Sequence, residues 1–230
     1  MKSPLEKRLF CIWAGNNIMS PDRQQCLDTI KTTAQVKVHL IGPPNIDNWV
    51  TAPVHPAYKY LSYTHKADYF RAYLMHYHGS GYCDIKSMFF DWNQYFDFIN
   101  ENPQYDVVAY RERQPEHIAS DNPEIKARYN EIGGVCHFIM RPQSDITRDW
   151  LSKIHAILDD RASELKKHPG DYHPRAIKGG VQGLKNTEFD GSEYPLEWNE
   201  ICGRILHPLL FSYREKVSLI MPNPVLSNYR

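Results

Sequence analysis

The sequence predicts an α/β fold with a mostly parallel sheet, and three observations lead there. A short apolar run, Leu9-Phe10-Cys11-Ile12-Trp13-Ala14, stops at Gly15-Asn16-Asn17. It reads as a strand buried on both faces. Ser20-Pro21-Asp22 then opens a helix, with serine at the cap, proline in the first turn and an early acid. A second apolar run over residues 36–41 is stopped by Gly42-Pro43-Pro44. Strand, helix and strand in so short a span make a βαβ unit, whose crossover brings the strands together in parallel.

The remaining elements follow in order. The first helix carries Cys26, Leu27 and Ile30 on one face and fades at Thr32-Thr33. Residues 42–63, rich in Pro, Asn and Tyr, read as loop. Thr64 is placed to cap a helix over 65–78, whose apolar positions Ala67, Phe70, Leu74 and Tyr77 share a face. Gly79-Ser80-Gly81 ends it, and Tyr82-Cys83-Asp84-Ile85 follows as a short strand. Asp91 opens a helix to 100; strands are expected over 106–110 and 134–140, and a helix over 146–167. The tail reads as loop over 169–195, helix over 197–213, then a proline-punctuated end. Residues 1–140 form the expected ligand-binding core of one domain, and 141–230 supply appended helices and tail.

Composition narrows the function. The 230 residues include 27 basic and 27 acidic side chains, giving zero formal net charge. That balance disfavours a nucleic-acid binder working by bulk charge. Apolar residues at 42% and aromatics at 13% are the reverse of a disordered composition. Five cysteines, at 11, 26, 83, 136 and 202, are odd in number and contain no Cys-x-x-Cys pair. Reduced thiols are the expectation. The apolar run after the basic N-terminus is too short for a signal peptide, and no stretch nears the ~20 residues of a membrane span. A soluble, cytoplasmic protein is expected.

Ligands of open parallel sheets bind beyond the carboxyl ends of the strands, where strand order reverses. Asp84 is placed at such an end. On the helix before it, Asp68 and Arg71 are i, i+3 neighbours, with Lys66 close by. Taken alone, Asp68 and Arg71 could equally be a surface ion pair. The eleven histidines show no zinc spacing. Gly179-Gly180-Val181-Gln182-Gly183 is not a P-loop, since no strand precedes it and no Gly-Lys-Ser/Thr follows.

One family resemblance emerges from these residues. His65-Lys66-Ala67-Asp68-Tyr69-Phe70-Arg71, then Gly79-Ser80-Gly81-Tyr82-Cys83-Asp84-Ile85-Lys86, resembles the nucleotide-sugar site of GT-A-fold glycosyltransferases with a DXD-type motif. The capsular-polysaccharide synthesis group is nearest and the bacterial glucosylating toxins more distant. Cys11-Ile12-Trp13-Ala14-Gly15 is similar to the strand that opens these enzymes. The resemblance covers residues 8–90 and implies a GT-A-like, Rossmann-like sheet flanked by helices. It also implies a nucleotide-sugar donor (UDP favoured) and a glycan or glycoconjugate acceptor. Trp13, with Ala14 beside it, would stack on the donor base; Lys66, Asp68, Arg71 and Tyr82 would line the sugar pocket. Asp84 would be the first acid of a Mn²⁺ or Mg²⁺ motif.

The motif's second acid is replaced by Lys86. An ammonium cannot ligate a hard cation. Either Asp84 holds the metal with water and the diphosphate, or Lys86 neutralises the diphosphate itself. His207, before Pro208, reads first as a structural histidine at a helix end and second as a candidate metal ligand from the tail. A base for the acceptor hydroxyl is sought among Asp171, Asp190, Glu193, Glu197 and Glu200, with Glu197 and Glu200 preferred for their aromatic surroundings. Two other classes compete: a catalytically inactive nucleotide-sugar or glycan binder, and an unrelated α/β enzyme in which Asp84 only closes a salt bridge.

Overall fold

The computed structural model describes residues 2–170 and 193–225. Six strands form one sheet: β1 (Arg8–Ile12), β2 (Lys37–Ile41), β3 (Ser80–Cys83), β4 (Val107–Arg111), β5 (Gly133–Met140) and β6 (Val217–Met221). Their order is β2-β1-β3-β5-β4-β6. β1 is parallel to β2 and β3, and β4 is parallel to β6, whereas β5 runs antiparallel to both its neighbours. The mostly parallel α/β architecture is thus present, with β5 the one reversed strand.

Alternation along β1 shows how the sheet is buried. Leu9 and Cys11 enter a core with Leu27, Trp92 and Ile139, while Phe10 and Ile12 enter a second core with Phe70, Phe138 and Trp150. Both faces are therefore covered, as a strand without polar alternation requires. The first face is packed by α1 (Pro21–Thr33) and α3 (Asn93–Glu101), the second by α2 (Tyr63–Tyr77), α5 (Asp145–Asp160) and α7 (Gly203–Ser212). On α5, Ile146, Trp150, Ile154 and Leu158 are buried at four-residue spacing. Removing the Trp150 side chain would cost about 3–5 kcal/mol.

Local chemistry sets the boundaries. Ser20 caps α1 by accepting from the Arg23 N–H at 3.3 Å. The cap of α2 is Ser62, which accepts from the His65 N–H at 3.3 Å; Thr64 lies inside the helix instead. After α2 the chain turns at Gly79, φ +62°, where a Cβ would lie 2.4 Å from Pro142 Cδ. Glycine alone fits there. Residues 42–63 contain two 3-10 turns, Ile46–Trp49 and Pro56–Tyr60, and 113–132 include the short α4 (Pro123–Ala127). The helix expected over 146–167 breaks at Arg161 into α5 and α6 (Ala162–Lys167).

The tail departs most from expectation. Helix over 197–213 is confined to α7, because Glu200 Oε2 accepts from the Glu197 N–H at 2.8 Å and folds the preceding residues into a turn. The proline-punctuated end hides β6, which extends the sheet beyond β4. Residues 141–225 are therefore not only appended helices, since β6 is part of the sheet. Asp171, Asp190 and the glycine-rich stretch 179–183 lie outside the described residues. Among the described residues no helix is long and apolar enough to cross a membrane.

Candidate active site

Because β1, β3 and β4 run the same way, the residues after their last rungs emerge at one edge of the sheet. These are Trp13 and Ala14 after β1, Asp84 after β3 and Glu112 after β4. Reversed β5 brings its opening residues, Val135 and Cys136, to the same edge. Together they border a cavity of about 990 Å³, closed by the first turns of α1 and α2 and by residues 198–207. That is the volume of a pocket for a drug- or cofactor-sized ligand.

The β3 side of the cavity is a connected set of charges. Asp84 Oδ2 accepts from Lys86 Nζ at 2.8 Å, and its Oδ1 accepts from the Tyr82 hydroxyl at 2.8 Å and Arg71 Nη1 at 3.4 Å. Arg71 also donates to Asp68, to the Val135 carbonyl at 2.8 Å and to Cys202 Sγ at 3.1 Å. Its guanidinium lies 4.7 Å from the centroid of the Tyr82 ring, which in turn stacks on Phe138 at 5.4 Å. Lys86 makes a second contact, to Cys136 Sγ at 2.9 Å.

Burial pushes the Asp84 carboxyl up, but Lys86, Arg71 and the Tyr82 hydroxyl outweigh it and hold the group well below the usual carboxylate range. Burial pulls Lys86 down, yet Asp84 overcomes it and raises the ammonium above its ordinary value. Burial raises the Cys136 thiol, so Lys86 faces a neutral sulfur there. Asp84 retains 24% of its side-chain exposure, so it is reachable from the cavity.

These residues do not fit a divalent cation. Mg²⁺ or Mn²⁺ wants a set of oxygen ligands. Asp84 has both oxygens held by cations and a phenol, and Asp68, the acid that shares Arg71 with it, is itself paired with that guanidinium. Among the described residues no group of three or more His, Cys, Asp or Glu could hold a metal ion. His207, expected as a ligand from the tail, turns to Glu112 instead.

Across the cavity, Glu112 is 5% exposed at its side chain, and Tyr110 OH donates to its Oε1 at 3.3 Å. His117 Nδ1 lies 3.2 Å from Oε2 and His207 Nε2 3.7 Å from Oε1. The Tyr110 ring fits only because Gly134 opposes it; a Cβ there would lie 1.9 Å from the ring. Tyr110 also accepts from the Cys136 N–H at 3.4 Å, so a chain of contacts links Glu112 to Lys86 through Tyr110 and Cys136.

No family model matches the chain, and no curated protein matches it in sequence. A solved structure of a PaToxG glycosyltransferase is similar at 14% identity and a TM-score of 0.43, over 93% of this chain and 83% of that one. At that distance the likeness says nothing about individual residues.

The other expected site residues divide cleanly. Trp13, Ala14, Asp68, Arg71, Tyr82, Asp84, Lys86 and His207 line the one cavity. Trp13 is half-buried and oriented by its Nε1–H, which donates to the Asn17 carbonyl at 2.8 Å. Lys66 does not line it; its ammonium lies 5.6 Å from the centroid of the Tyr63 ring. Glu197 and Glu200 do not line it either: Glu197 pairs with Arg204 at 2.5 Å, and Glu200 closes the turn before α7. Glu193 pairs with His168 at 2.7 Å. The sequence reading missed Arg23, Glu112, Arg113 and His117, all on the cavity wall. Glu112 directly follows a strand, as Asp84 does, and the same rule would have found it.

Proposed function

We propose that this chain is a glycosyltransferase, moving a hexosyl or pentosyl group from a nucleoside diphosphate sugar, UDP-linked by preference, to a hydroxyl of a glycan or glycoconjugate in polysaccharide synthesis. One observation carries this reading: an indole, a hydroxyl-reading Asp68–Arg71 pair and a buried ammonium converge at one sheet edge beside a cavity of about 990 Å³. Trp13 offers a flat face to a pyrimidine. Asp68 and Asp84 accept from sugar and ribose hydroxyls, and Arg71 fixes both acids.

As the sugar leaves, negative charge builds on the diphosphate and must meet a positive partner. Lys86 supplies it, held in place by Asp84. Arg23, in the first turn of α1, adds charge where the helix dipole is positive. No step is assigned to a metal ion, because the donor set does not suit one.

Thermal shift with UDP, GDP and CMP, in EDTA and then in Mn²⁺, tests the reading. UDP is expected to raise Tm in EDTA, and UDP-sugars to be slowly hydrolysed. A chain indifferent to all three nucleotides, in both buffers, would refute it. The engagement of both Asp84 oxygens favours a second reading, an inactive nucleotide-sugar or glycan binder. UDP binding without hydrolysis or transfer of any UDP-sugar would select that one.

A further inference from the structure

Resting on the transferase reading above, we propose that Glu112 is the general base that takes the proton from the acceptor hydroxyl, with His207 as its positioning residue, and that transfer inverts the anomeric carbon. Topology keeps the two acids apart. β5 lies between β3 and β4, a lateral separation of two strand spacings, roughly 10 Å, and the N–H groups of Asp84 and Glu112 donate to the Cys136 and Ile132 carbonyls, four residues apart where the chain enters β5. A sugar ring fits between them, with the leaving diphosphate at Lys86, beside Asp84, and the incoming hydroxyl at Glu112.

The partners of Glu112 set it apart from Asp68 and Asp84 on the same cavity. Asp84 is bound to Lys86 and Arg71, and Glu197 to Arg204. Among the described residues, the side chains within 4 Å of the Glu112 carboxylate oxygens are the Tyr110 hydroxyl and the imidazoles of His117 and His207, with no ammonium or guanidinium. No cation locks this carboxylate in place, so its oxygens can face a hydroxyl donor from the cavity, as a base must.

The state of His207 follows from its hydrogen bond. The Ala119 N–H donates to Nδ1 at 3.0 Å, so Nδ1 carries a lone pair and the ring proton is on Nε2. Nε2 is buried, has no hydrogen-bond partner and lies 3.7 Å from Glu112 Oε1. Such an orphaned donor is costly in a core. It is explained if Nε2–H holds the carboxylate on the cavity side during reaction. His207 cannot itself take the proton while Nδ1 is occupied.

The step balances. The acceptor oxygen forms a bond to the anomeric carbon from the face opposite the diphosphate. The bond from that carbon to the phosphate oxygen breaks, and its electron pair leaves with the nucleoside diphosphate. The hydroxyl proton passes to Glu112, which later releases it to water.

Water serves as the test acceptor, with the full-length chain and UDP-glucose, UDP-galactose and UDP-N-acetylglucosamine as donors. These donors are α-linked, so proton NMR is expected to detect the β-sugar first. E112Q should keep the UDP thermal shift and lose roughly 10²–10⁴-fold in hydrolysis. Azide needs no base, so E112A in azide should form the β-glycosyl azide. H207Q should lower kcat about 10- to 100-fold at unchanged KM, with azide transfer undiminished; it also carries the test should E112Q fail to fold. An α-sugar as first product, or wild-type hydrolysis by E112Q that still binds UDP, would overturn the inference and leave the transferase standing. A wild-type chain that neither binds UDP nor hydrolyses any donor overturns the transferase reading, and the inference falls with it.

Discussion

The two sides of the cavity use charge in opposite ways. On the β3 side, Asp68, Arg71, Asp84 and Lys86 form a closed network in which each acid faces a cation. On the β4 side, among the described residues, Glu112 meets a phenol and two imidazoles. The first network holds its groups fixed, with the Asp84 carboxyl pulled down and the Lys86 ammonium pushed up by their pairing, and it is also part of the fold. The second leaves a carboxylate that no ammonium or guanidinium holds among the described residues. On the proposed reading, one sheet edge then separates a station for the leaving group from a station for the proton.

The sharpest way to break this contrast is through stability. Removing Arg71 strands Asp68 and Asp84 without their shared partner; breaking a buried pair in this way costs about 3–5 kcal/mol. We expect R71M to unfold in urea at a correspondingly lower midpoint. E112Q, whose amide still accepts from Tyr110, should shift that midpoint by about 1 kcal/mol or less. Equal losses in the two variants would mean that both sides are structural.

A smaller effect separates charge from metal. K86A keeps Asp84 paired with Arg71, so the fold survives, but the developing phosphate charge loses its nearest cation. UDP-sugar hydrolysis should fall about 10²–10³-fold. EDTA should leave the wild-type rate unchanged, and Mn²⁺ should not rescue K86A. Abolition of wild-type activity by EDTA would place the charge of the reaction on a metal ion instead of Lys86.

The same contrast explains what could be read from the sequence. The β3 side is local: Asp68, Arg71, Tyr82, Asp84 and Lys86 fall within nineteen residues, on one helix, one turn and one strand end. Short-range periodicity and capping place them without knowing the rest of the fold. The β4 side depends on long-range pairing. Glu112 and His207 are 95 residues apart, and only the packing of α7 against the sheet, with the reversed β5, brings them together. β6 was hidden for a related reason, since an edge strand of five residues running straight into Pro222 and Pro224 carries little pattern of its own. Glu197 and Glu200 misled because aromatic and acidic neighbours in sequence say nothing about which way a turn faces.

The indole offers a more modest test of the binding half. Loss of one stacked base costs about 1–3 kcal/mol. W13A should therefore weaken UDP binding about 10-fold or more by calorimetry, whereas W13F should stay within a few-fold of wild type. Since Trp13 touches neither charged network, its substitution should leave the ratio of azide transfer to hydrolysis unaltered. A change in that ratio would tie the indole to the proton station.

The smallest effect concerns pH. The Asp84 carboxyl is held below its unfolded value by Lys86 and Arg71, after burial has pushed the other way. A depressed carboxyl contributes stability that is complete above the unfolded pKa, near ~3.9, and lost as pH falls towards the folded one. Between neutrality and pH ~3 only about one pH unit of that interval is crossed, so the loss is about 1 kcal/mol. D84N has no such proton to take up. Its stability at pH 7 should be lower than wild type, but its decline towards pH 3 should be shallower by that amount in urea titrations. Parallel declines would mean that Asp84 titrates normally, and the fixed, ionised station on the β3 side would lose its electrostatic basis.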